Sequence, residues 1–208
     1  MAKKSNDTFS PEMKRILKIF GIGSLVFVLI MSFFNERRAN NSGKEESPMR
    51  ISDADRLYFK NVRAPYYDIE NRKDAKMTIY RYGKRAKTEE VVSVGLSILL
   101  NRVKDEAYIF VESTSGEFPI KIRWTNLEDK SKNGELVFEG GDKYSHLAFV
   151  EEFYPLILEN TLLELWHEDR YIPILEGEVG KDALRITIND YNKLINNSIN
   201  LNGTPQDR

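Results

Sequence analysis

The chain has no cysteine, and only two histidines and two tryptophans among 208 residues. Without thiols there is no disulfide, no thiolate nucleophile and no cysteine-ligated zinc or iron–sulfur centre. Imidazole chemistry would need His146 or His167 brought together with carboxylates such as Glu151, Glu168 or Asp169. His167-Glu168-Asp169 reads as a hairpin turn and His146 falls at a helix start, so both histidines are expected to be exposed and without a special role. No P-loop, no G-x-G-x-x-G and no G-x-S-x-G is found, and nothing in the pattern calls for a cofactor. A formal net charge of −1 gives the whole chain no polyanion-binding character.

Charge is also missing locally. Ile19–Phe34, IFGIGSLVFVLIMSFF, carries no ionisable side chain. Sixteen helical residues cover roughly 24 Å, short of a hydrocarbon core of ~30 Å. Extending the helix back through Ile16, Leu17 and Lys18 closes most of the gap, with the Lys18 ammonium reaching back to the headgroups. A soluble core helix would show a polar face, and this run has only Ser24 and Ser32. A cleaved signal peptide would need small residues at its end, where Ser32-Phe33-Phe34-Asn35 stands instead. The expected partner of Ile19–Phe34 is therefore the lipid bilayer. Five basic residues precede the run and four follow it, a small bias for orientation. A short N-terminal tail before a large C-terminal domain favours a single-pass signal anchor in the cytoplasmic membrane, with the domain outside the cytoplasm.

The organisation expected is a cytoplasmic tail over 1–15, a transmembrane helix over 16–35, a flexible linker over 36–52, a domain over 53–198 and a disordered tail over 199–208. Ser10-Pro11-Glu12 reads as a helix start. The roughly 155 residues that remain after the anchor and its flank are enough for one domain with its own core. Leu57–Arg63 has strand character, and Ala64–Asp74 reads as a polar loop. Lys76–Tyr82 alternates with period two; Val92–Leu100 and Ala107–Glu112 suit a hairpin; Pro119–Trp124 returns through a turn along Leu136–Phe138. Ser145 can then cap a helix carrying Leu147, Val150, Tyr154, Ile157 and Leu158, with Pro155 expected to kink or divide it. A hairpin around Glu168–Arg170 follows, and a closing helix over Lys181–Asn196 with Leu184, Ile188, Tyr191 and Ile195 on one stripe. The fold class is α+β, a mostly antiparallel sheet with two late helices packed on it.

Within that domain the charge is uneven. Residues 56–87 hold ten basic side chains against three acids, whereas residues 101–170 hold eight against fifteen. Tyrosines and phenylalanines interleave the basic stretch. Its candidate contact residues are Lys60, Arg63, Tyr66, Tyr67, Arg81, Lys84 and Arg85. Basic residues among aromatics suit a polyanion or an acidic partner surface. The plainer alternative is that the rings enter the core and the cations pair with acidic strands. Nucleic acid ranks last among the partners. Glu112 and Glu117, flanking Ser113–Gly116, are the carboxylates best spaced for hydrolytic chemistry. The expectation is a membrane-anchored binding or scaffold protein of a bacterial cell envelope, a subunit or accessory factor of a larger complex. A tethered envelope hydrolase using carboxylates or a histidine is the alternative.

Overall fold

The computed structural model describes residues 10–33, 47–85, 92–114, 116 and 118–196. The chain forms two compact units, Met1–Arg38 and Ala39–Arg208. The first holds helix α1, Pro11–Phe33. Proline stands at its first position, and the Met13 N–H donates to Ser10 Oγ at 3.2 Å, as the sequence predicts. Twenty-three residues give about 35 Å of helix. It is long and apolar enough to cross a membrane or serve as a signal anchor, and its apolar window is unburied. Phe20, Ile22, Leu25 and Val28 are all more than three-fifths exposed.

The second unit is α+β, with its antiparallel strands divided between two sheets. Sheet one is a meander in the order β1-β2-β3-β4: β1 Tyr67–Arg72, β2 Met77–Tyr82, β3 Val94–Asn101 and β4 Ala107–Ser113. Sheet two runs β6-β5-β7-β8: β5 Ile120–Asn126, β6 Asn133–Phe138, β7 Thr161–His167 and β8 Arg170–Ile174. Helix α3, Lys143–Leu158, lies between β6 and β7 in the chain, and helix α4, Glu178–Leu194, follows β8.

Alternation explains the core. Thr78 and Tyr80, Leu96, Ile98 and Leu100, and Ala107, Ile109 and Val111 point to one face of sheet one and are buried. Helix α4 packs against β3 and β4, burying Leu184, Ile188, Tyr191 and Leu194 on its apolar stripe. Ile195 follows on that stripe and is buried too. The β-branched Ile186–Ile188 run stays helical because its turn partners, Ala183, Leu184 and Tyr191, share this buried face.

Several local readings are corrected. Leu57–Arg63 is helical, not strand: α2, Asp53–Tyr58, runs into a π turn over Phe59–Arg63 and a 3₁₀ turn over Ala64–Tyr66. Ser52 caps it by accepting from the Asp55 N–H, and the side chains turned inward, Arg56, Phe59 and Ala64, recur at helical spacing. Tyr67–Arg72, read as loop, is edge strand β1. It lacks an alternating pattern because everything after Tyr67 is solvent-exposed. Asp142, not Ser145, caps α3, its carboxylate accepting from the Tyr144 and Ser145 N–H groups at 3.0 Å each. Helix α3 continues as one helix through Pro155, and Leu158 is half-exposed instead of facing the core.

Helix α3 also explains why β5 leaves sheet one. It packs along β4, and His146 on its first turn accepts the Val111 N–H through Nδ1 at 3.1 Å. The ring lies 3.8 Å, centroid to centroid, from Phe110 and 4.7 Å from Phe138. His146 is only 2 % exposed, against the expectation of a surface residue. Burial holds it neutral, lowering its pKa to about 4.

The basic-aromatic region as a candidate functional site

The polypeptide reaches this region through Met49–Ile51, which is stitched to the β3–β4 turn: Ala107 N–H donates to Met49 O and Ile51 N–H to Asp105 O, both at 2.9 Å. Arg56 then turns inward, donating to Asp105 Oδ1 at 2.6 Å and pairing with Asp53. One turn later Phe59 enters the core. It meets Tyr80 edge-on at 5.1 Å and Tyr67 at 5.7 Å, and Tyr67 meets Tyr82 at 5.5 Å. Four rings of the interleaved aromatic set thus form one internal cluster.

The π turn widens the helix by a residue, closed by the Ala64 N–H donating to Phe59 O. That swing carries Arg63 onto Asp190 of α4, which is 4 % exposed. Arg63 Nε donates to both carboxylate oxygens, at 2.8 and 2.9 Å, and the Tyr67 hydroxyl donates to Oδ2 at 2.7 Å. The hydrogen bond to Asp190 above all raises the Arg63 pKa over its ordinary value. Tyr67 is pushed well up from the usual phenol value, first by burial and then by its bond to Asp190.

A second knot crosses sheet one on the face away from α4. Arg81 of β2 donates through Nε to both oxygens of Glu112 on β4, at 3.0 and 2.8 Å, and through Nη1 to Glu70 of β1 at 2.7 Å. Ser97 of β3 donates to Glu112 as well, at 3.1 Å, so a single polar row spans all four strands. Arg85 closes the end of β2, bonding Asp68 at 2.6 Å and the Tyr82 carbonyl at 2.9 Å. At the β1–β2 turn Arg72 bonds Asp74 at 2.8 Å, and that bond lowers the exposed Asp74 carboxyl to about 2.

The seven predicted residues thus separate into three groups. Arg63 and Tyr67 converge on Asp190. Arg81 and Arg85 come together at a cavity of about 360 Å³ between the ends of β2–β4 and the start of α4, where Glu112, Leu96 and Leu184 also line the wall. Lys60, Lys84 and Tyr66 stand at the surface, Tyr66 beneath the Arg63 guanidinium at 5.2 Å. Sequence reasoning missed Asp190, 127 positions from Arg63. Its trace in the sequence is a polar pair, Thr187 and Asp190, set into the apolar stripe of α4 at i, i+3 spacing.

The carboxylate and histidine candidates are distributed otherwise. Glu112 is held by Arg81 and Ser97, while Glu117 lies outside the described residues. His146 serves the edge of β4, and His167 sits at the end of β7 with Nε2 3.8 Å from Glu168. Among the described residues no group of three His, Asp or Glu side chains is placed to hold a metal ion. Compared with protein-family models, curated proteins and solved structures, the chain matches none.

Proposed function

We propose that this chain is a single-pass, membrane-anchored binding or scaffold protein of a bacterial cell envelope, serving a larger membrane complex. In this reading α1 is an uncleaved anchor in the cytoplasmic membrane, and the α+β unit works outside the cytoplasm. The observation that carries it is α1 itself. A 23-residue helix presenting Phe20, Ile22, Leu25 and Val28 without cover leaves a large apolar surface that only lipid or another apolar surface can satisfy. A docking role is supported by Arg63, Arg81 and Arg85 being engaged by carboxylates of the same unit, with Lys60, Lys84 and Tyr66 left outward. Tethering raises the effective concentration of a weak contact without any new interaction. The hydrolase alternative needs an available carboxylate pair or histidine, and Glu112 and His146 are each engaged structurally.

The test is fractionation and capture of the full-length chain. It should stay with membranes through alkaline carbonate and be released by detergent, and a C-terminal alkaline phosphatase fusion should be active where a cytoplasmic-only reporter is dark. Mild-detergent crosslinking should retain the same partners when α1 is exchanged for an unrelated transmembrane helix. Extraction by carbonate alone would overturn the anchor, and loss of partners on helix exchange would move recognition from the domain to α1.

A further inference from the structure

Helix α2 with its π and 3₁₀ turns, residues 53–66, has two faces that differ in kind. The inner face is bolted down by Arg56 to Asp105, by Phe59 in the aromatic cluster and by Arg63 to Asp190. The outer face carries Leu57, Tyr58, Val62 and Tyr66, which are 61, 50, 45 and 55 % exposed. Leu57 and Asn61, and Tyr58 and Val62, follow one another at i, i+4, so these side chains form one ridge. Lys60 flanks the ridge, and Arg63 lies over the Tyr66 ring. Asp53, the exposed acid at the helix start, is paired with Arg56.

We infer that this ridge is a membrane-contact surface, by which the domain lies on the lipid headgroups of the bilayer holding α1; the inference rests on the anchored reading above. Chain length favours lipid as the occupant. From Phe33 to Ser47 there are fourteen peptide steps, no more than ~50 Å fully drawn out, and α2 begins six residues after Ser47. Covalent connection therefore keeps segment 53–66 within reach of the lipid surface. The composition fits the same depth. Tyrosines seat their rings at the headgroup level with the hydroxyl in water. Leucine and valine enter the acyl boundary, and Lys60 reaches anionic phosphates while its methylenes cover apolar surface. A ridge of four such side chains would bind weakly from solution, but on a tether a weak adsorption is sufficient.

The absence of cysteine makes the test direct. Full-length protein carrying Val62→Cys or, as a control on the β5–β6 turn of the other sheet, Lys130→Cys is labelled with an environment-sensitive fluorophore. It is then reconstituted into vesicles of phosphatidylcholine with phosphatidylglycerol, with and without lipids brominated near the headgroup. Flotation of the vesicles scores anchoring separately from docking. The expected result is a blue-shifted Val62→Cys label quenched by the brominated lipids, beside a Lys130→Cys label that is neither. Leu57→Ser in the Val62→Cys background should lower the docked-to-undocked ratio about tenfold, and docking should be weaker overall in pure phosphatidylcholine. A Val62→Cys label that stays water-like while the protein floats with the vesicles overturns the inference and leaves the anchor standing. A blue shift without bromine quenching, growing with the protein-to-lipid ratio, also overturns it and assigns the ridge to a second copy of the chain. Failure to float would overturn the anchored reading itself.

Discussion

Asp190→Ala is the sharpest test of what holds the basic segment to the domain. The substitution removes the acceptor of two Arg63 bonds and one Tyr67 bond at a site 4 % exposed. Breaking a fully buried ion pair costs ~3–5 kcal/mol, chiefly because the surviving charge is stranded. The Arg63 side chain is 27 % exposed and can rehydrate, which brings its share down to about 1–2 kcal/mol. The Tyr67 hydroxyl has less recourse and adds about 1–2 kcal/mol for a buried donor left without its partner. The sum is about 3 kcal/mol, or roughly 6–12 °C in melting temperature for a unit of this size. Thermal melting of the full-length protein in a mild detergent, followed by tryptophan fluorescence, reads it cleanly because Trp124 and Trp166 both lie in the α+β unit. Arg63→Ala alone should cost less than Asp190→Ala, and the double mutant should show a coupling of at least about 1 kcal/mol. Combining Asp190→Leu with Arg63→Met and Tyr67→Phe should recover most of the loss, since an apolar replacement strands no charge. A loss below about 1 kcal/mol for Asp190→Ala, or strictly additive effects with Arg63→Ala, would refute this account.

His146 and the β7–β8 turn supply two further tests. Because His146 is neutral when folded, with its pKa depressed from 6.5 to about 4, its stabilisation is present above pH 6.5 and is lost as pH falls toward 4. Between pH 6 and pH 5 this gives a slope of up to ~1.4 kcal/mol per pH unit, and His146→Phe should abolish that slope while costing about 1–3 kcal/mol at neutral pH for the orphaned Val111 N–H. A slope unchanged in the mutant would place the titration elsewhere. At the β7–β8 turn both central residues, Glu168 and Asp169, hold left-handed φ values of 47° and 59°. Glu168→Asn with Asp169→Gly gives the residues that a two-residue hairpin of this hand prefers and should stabilise by about 1 kcal/mol in the same melt; a lower melting temperature would contradict the turn assignment.

Where the sequence was legible, the deciding interactions were local. Met77–Tyr82 alternates between a half-buried and a buried face, so its strand could be read directly. Leu184, Ile188 and Tyr191 fall on one helical stripe, and the helix is there. Residues 57–63 misled because Tyr58, Phe59 and Val62 are residues that strands favour. Their helix depends on the Ser52 cap and on anchors supplied by Asp105 and Asp190, and neither anchor is close in sequence. Strand β1 was invisible for the opposite reason: an edge strand with one buried residue needs no apolar alternation.

The candidate site divides along the same line. The clustering of cations and rings over 56–87 was plain from composition, yet composition could not tell a contact surface from an internal ion-pair lattice. Only the folded chain decides that Arg63 meets Asp190, that Arg81 joins Glu70 to Glu112, and that His146 closes the edge of β4.

What the sequence determined by itself is the apolar helix and the α+β class, because transfer of an uncharged run out of water and the period of a strand or helix are properties of neighbouring residues. What the tertiary structure alone decided is the division into two sheets and the fate of each charge. Those depend on groups 11 to 127 positions apart meeting in the folded chain, and in a desolvated place an acceptor is worth having only if its donor arrives.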